Sequence, residues 1–84
     1  MVELASNVIT VAQARTLFAT YVQQQINAMA PALRNNPVYI TADPRTGQSI
    51  AFSYPQLLSE VQRGSPIGNN EAIKYAAAQG YRVA

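Results

Sequence analysis

Val38-Tyr39-Ile40-Thr41-Ala42-Asp43-Pro44-Arg45-Thr46-Gly47-Gln48-Ser49-Ile50-Ala51-Phe52-Ser53-Tyr54-Pro55-Gln56 is the stretch that decides the fold. Val38, Ile40 and Ala42 alternate with Tyr39 and Thr41, the period of a half-buried strand. Asp43 suits the first position of a type I turn and Pro44 the second, while Gly47 supplies the left-handed residue of a bulged hairpin. Ile50 and Phe52 alternate with Ser49, Ala51 and Ser53 in a returning strand. That strand stops at Ser53-Tyr54-Pro55-Gln56, a capping box in which Ser and Gln satisfy each other's backbone amides. Pro55 is at home there, because the first helical turn has no partner for its missing N–H.

Working outward, Thr10-Val11-Ala12-Gln13 is a second capping box, with Ile9 placed as a hydrophobic staple against Ala14. Ala14, Phe18, Val22, Ile26, Met29 and Leu33 then recur at helical spacing, widened by Leu17 and Tyr21. Arg15, Gln23, Gln24 and Asn27 are assigned to the opposite face. Pro31 ends or kinks this helix near Ala30, and Asn35-Asn36-Pro37 is the exit loop. Beyond the hairpin, Leu57, Leu58 and Val61 give the next helix its apolar face and Gly64 ends it. Ser65-Pro66-Ile67-Gly68 reads as a connector. Asn69 or Asn70 is the expected cap of a third, Ala-rich helix from Glu71 to Gln79, closed by Gly80 with Tyr81 folding back.

The expected class is therefore α+β: a helix–β-hairpin–helix core with an additional short C-terminal helix. It divides into an N-terminal arm (1–9), the core (10–64), and a connector with the C-terminal helix (65–84). The expected core is Leu17, Phe18, Val22, Ile26, Met29, Val38, Ile40, Ile50, Phe52, Leu57, Leu58, Val61 and Ile73.

Eighty-four residues make one domain with a thin core, since much of its 49% hydrophobic content is Ala. Domains of this size use disulfides, metal or oligomerisation as staples. The chain has no Cys and no His, so disulfides and the usual zinc ligands are excluded and oligomerisation remains. The net charge is +2, but the six Lys and Arg are dispersed rather than gathered on one face, as phosphate binding requires. Arg34 and Arg63 fall near helix C-termini, where a cation complements the dipole. Neither a secretory signal nor a membrane-spanning run is visible, so the expectation is synthesis in the cytoplasm without a membrane partner.

The same inventory argues against catalysis. Histidine, the commonest general acid–base residue, is missing, and Glu3, Asp43, Glu60 and Glu71 lie in four separate segments. No phosphate-binding Gly-rich loop is present, and no cofactor or metal is expected. Tyr39, Tyr54, Tyr75 and Tyr81 either edge the core or contact a protein partner, where tyrosine is enriched. Gln23, Gln24 and Gln25 are open to the same choice between a solvated face and a paired interface. The candidate protein-interface residues are Tyr39, Arg45, Thr46, Tyr81 and Arg82. The expected function is a non-enzymatic assembly subunit, a homo-oligomer within a larger complex. A small nucleic-acid-binding or regulatory adaptor is the alternative.

Residues 11–64 resemble the lambda protein W-like family, the small head-to-tail joining proteins of tailed bacteriophages. The likeness lies in Val38-Tyr39-Ile40, the turn through Gly47, Ile50-Ala51-Phe52 and the Leu57/Leu58/Val61 helix. The first helix is longer than that family's, and the capped third helix departs from its pattern. The resemblance implies a virion protein, present as a ring of copies below the portal, where capsid and tail join.

Overall fold

Thr10 begins the first helix as its capping box requires. Its Oγ1 accepts from the Gln13 N–H at 3.1 Å, and Gln13 Oε1 accepts from the Thr10 N–H at 2.8 Å. In a computed structural model, which describes residues 7–84, this helix is α1 (Val11–Ala28). It stops at Met29, ahead of a 3-10 turn over Pro31–Leu33. Arg34 Nε donates to the Ile26 carbonyl at 3.1 Å, supplying a cation and a donor to the end of α1.

Strand β1 (Val8–Ile9) precedes α1, and strands β2 (Tyr39–Ala42) and β3 (Ser49–Phe52) form the expected hairpin. Helices α2 (Tyr54–Arg63) and α3 (Pro66–Ala78) follow, then β4 (Arg82–Val83). β1 and β4 pair in parallel, Val8 opposite Arg82 and Ile9 opposite Val83. The end of the N-terminal arm is thus a strand, while residues 1–6 of that arm lie outside the described residues. The α+β class holds. Among the described residues, no helix is long and apolar enough to cross a membrane.

The hairpin closes as its turn chemistry dictates. The Asp43 carbonyl accepts from Thr46 and Gly47, Asp43 Oδ1 accepts from the Arg45 N–H at 2.9 Å, and Gly47 sits at φ 76°. Its register corrects the expected core. Tyr39 pairs with Phe52 and Thr41 with Ile50, so every odd-numbered residue of β2 shares a face with an even-numbered residue of β3. Ile40 therefore cannot face inward beside Ile50 and Phe52. Tyr39 and Thr41 take that face instead, leaving Ile40 71% exposed and Val38 48% exposed.

The third helix is a second correction. Ser65-Pro66-Ile67-Gly68 is its first turn rather than a connector: Ser65 Oγ accepts from the Gly68 N–H at 3.1 Å, with Pro66 at the first helical position. Asn69 and Asn70 lie inside the helix. A glycine here costs about 0.5–1 kcal/mol relative to alanine, but it lets α3 touch the α2 backbone. A Cβ on Gly68 would lie 2.3 Å from the Glu60 carbonyl oxygen. Consequently α3 is not an appendage. The buried core is Ile9, Ala14, Phe18 and Val22 against Leu57 and Val61 of α2 and Ala72 and Ala76 of α3. Ile73, expected inside, is on the exposed side of α3, and Phe52 is partly buried.

Arg15 is the third correction. Its Nε and Nη2 donate to the carbonyls of Val61 and Gln62 at 3.1 and 3.0 Å, so it leaves the solvent face to cap the end of α2.

Two outcomes follow for stability, measured by denaturant titration. Phe18→Ala is expected to cost about 3–5 kcal/mol, more than Phe52→Ala, because Phe18 is fully enclosed. Gly68→Ala is expected to cost at least about 1–3 kcal/mol despite alanine's better helix propensity. A neutral or stabilising Gly68→Ala would contradict the close α2–α3 crossing.

Candidate functional site

Glu71 is the most buried charged side chain among the described residues, 2% exposed on the face of α3 that meets the hairpin. Three donors converge on it. Tyr39 Oη donates to Oε1 at 2.6 Å, Thr41 Oγ1 to Oε2 at 2.7 Å, and Lys74 Nζ reaches Oε2 at 2.9 Å. Lys74 also lies 3.3 Å from Thr41 Oγ1, which closes the network. The periods of two elements make this possible. Residues i and i+2 of a strand share a face, as Tyr39 and Thr41 do, and residues i and i+3 of a helix are neighbours, as Glu71 and Lys74 are.

Aromatic rings surround the cluster. Phe18 and Tyr21 of α1 and Tyr75 of α3 lie with centroids 5.0–6.1 Å apart, and Tyr39 packs 6.3 Å from both Phe18 and Tyr54. Between them runs an open groove of about 430 Å³ lined by Phe18, Tyr21, Tyr39, Glu71, Lys74 and Tyr75 among others.

The electrostatics keep the protons where they are. Burial pushes Glu71 up, but the hydrogen bonds from Tyr39, Lys74 and Thr41 outweigh it and hold the carboxyl below its usual range. Burial, and then the hydrogen bond to Glu71, raise Tyr39 well above an ordinary phenol. A carboxylate depressed beside a phenol raised stores a charge; it is not poised to move a proton at neutral pH. Among the described residues, no three His, Cys, Asp or Glu side chains gather as a metal site would need.

The five candidate interface residues fall in three separate places. Tyr39 belongs to the Glu71 cluster, its hydroxyl occupied. Arg45 and Thr46 form the exposed hairpin tip, where Arg45 Nε lies 3.8 Å from Asp43 and borders a groove of about 320 Å³ with Glu60, Arg63 and Pro66. Tyr81 packs back on the core behind Gly80, its N–H bonded to the Ala76 carbonyl at 3.0 Å, while Arg82 is exposed in β4. Sequence reasoning missed Thr41 and Lys74 and gave Glu71 no role. The available signal was a single acid on a helix with little other charge, set three residues before a lysine.

No family model matches the chain, and neither a curated protein nor a solved structure does.

Glu71→Gln is expected to cost about 1–3 kcal/mol at neutral pH, because a buried phenol and hydroxyl lose a charged acceptor. The pH dependence follows from a folded value below the unfolded one of about 4.3. The cluster's contribution is complete above that unfolded value and is lost as pH falls through the depressed folded value. Urea midpoints should therefore drop on acidification in the wild type, and by less in Glu71→Gln. Equal acid slopes would remove Glu71 from this role.

Proposed function

We propose that this chain is a non-enzymatic assembly subunit, a ring-forming connector of the head-to-tail joining type or a related interaction module. The observation that carries the reading is the outer face of the hairpin. Ile40 and Val38 stand 71% and 48% exposed on a two-stranded sheet whose edges have no partner among the described residues. An exposed β-branched pair beside an open strand edge is the surface that strand addition from another chain covers. The thin core supports the same reading. Among the described residues, three of the eight buried apolar ones are alanines, so the core buries little apolar area and gains from association.

The distribution of charge supports a protein partner over nucleic acid. Arg15 and Arg34 are committed to helix carbonyls, Arg63 to Glu60 at 2.6 Å and Lys74 to Glu71. That leaves Arg45 and Arg82, at the hairpin tip and in β4, as the more available cations, two dispersed charges rather than a phosphate-binding stripe. Both remain proposed contact residues, with Thr46 beside Arg45.

Native mass measurement of the protein, alone and mixed with the products of neighbouring genes, tests the proposal. The expected result is a defined oligomer or stoichiometric complex, lost in Ile40→Asp while its helical circular dichroism and thermal midpoint stay near wild type. A wild-type chain that is monomeric and joins no complex in its native setting defeats the proposal. Salt-sensitive, tight DNA binding would favour the adaptor reading instead.

A further inference from the structure

We infer that the β2–β3 hairpin is a movable arm latched to the helical body through the Glu71 carboxylate, able to open while α1, α2 and α3 stay folded. The burial pattern separates the two parts. Every apolar side chain that is buried among the described residues belongs to Ile9 or to the three helices, and none to the hairpin. Phe18 and Val22 close on Leu57, Val61, Ala72 and Ala76, and from the hairpin only the partly buried Tyr39 and Phe52 pack against that cluster. The inner face of its strands offers the body only partly buried side chains, Tyr39, Thr41, Ile50 and Phe52, while buried Asp43 is bonded within the turn itself, its Oδ1 accepting from the Arg45 N–H.

Half of that inner face is polar, and both of its polar residues end on one group. Tyr39 takes one Glu71 oxygen and Thr41 the other. The remaining contacts are the bond from Lys74 Nζ to Thr41 Oγ1 at 3.3 Å, the ring packing of Tyr39 and the partial burial of Phe52. A single carboxylate on α3 thus holds two successive inward positions of β2.

The two attachments of the hairpin differ. Asn35, Asn36 and Pro37 lead into it exposed, whereas Ser53 leaves it buried and fixed by its capping box, with Oγ 3.3 Å from the Gln56 nitrogen. Motion therefore pivots at Ser53 and swings the β2 side. Because an isolated two-stranded hairpin is marginal in water, an undocked arm also loosens its own ladder. Opening uncovers Tyr39 and Phe52 on one face of the hairpin while Val38 and Ile40 remain open on the other. It is a property of the lone chain and needs no partner to be measured.

Amide hydrogen exchange at increasing, sub-denaturing urea is the test. The Val38 N–H is bonded to the Phe52 carbonyl, and the Asp43 N–H to that of Gln48. Both are expected to exchange at least about tenfold faster than the Val22 and Ala76 amides, with little dependence on urea, while the helix amides depend on it steeply. Glu71→Gln is expected to lower Val38 and Asp43 protection by a further factor of about ten. Thr41→Val, which alters neither α3 nor the buried core, is expected to do so severalfold and carries the test if Glu71→Gln does not fold. Equal protection and equal urea slopes for hairpin and helices would show that the arm does not open alone. Unchanged hairpin protection in the variants would show that Glu71 is not the latch.

Discussion

The backbone contact between α2 and α3 at Gly68 is the constraint on which the rest of the structure depends. Only Gly64 and Ser65 separate these helices, so α3 must start beside the end of α2. Ser65 caps it at once, and the absence of a side chain at Gly68 lets its first turn rest against Glu60 and Val61. Three residues on, Glu71 faces the hairpin, and Ala72 and Ala76 face α1. A bulkier residue at Gly68 would push α3 away and move both contacts. The local cost of a helical glycine is offset by the tertiary contact it permits.

The alanines make sense in the same frame. Large apolar side chains would bury more area each, but three helices joined by short links must approach closely. Ala14, Ala72 and Ala76 allow that approach, while Phe18, Val22, Leu57 and Val61 fill the space that remains. The polar groups follow helix geometry. Arg15 and Arg34 are long enough to reach carbonyls in the last turns of α2 and α1, where the regular helical ladder runs out, so cations are used as caps rather than spread over a binding face.

The hairpin is treated differently by the fold. It adds no enclosed apolar residue, it is held at a buried carboxylate, and it turns β-branched side chains outward. For a domain that only needed to be stable, a sheet face of this kind would be better buried. For one that works by contact with other subunits, an apolar outer face on a lightly docked arm is a useful surface. This contrast links the proposed assembly role to the latch, although each rests on its own observations.

The sequence by itself determined the local elements: both capping boxes, the Asp43–Gly47 turn, the exposed alternation of two strands, and the end of α1 before Pro31. Each depends on contacts within a few residues, and short-range chemistry is written directly in the chain. It also contained Phe18, Val22, Leu57 and Val61, because a helical stripe identifies its own buried side. Tertiary structure decided the rest. Which face of β2 turns inward depends on pairing register, which one strand's alternation cannot specify. Whether Ser65-Pro66-Ile67-Gly68 is connector or helix depended on a neighbour close enough to favour glycine. The Glu71 cluster joins residues some thirty positions apart in sequence, and the Arg15 cap joins residues 46 apart. Such partners meet only once the helices have packed, because burial, not spacing, selects which polar groups must find each other.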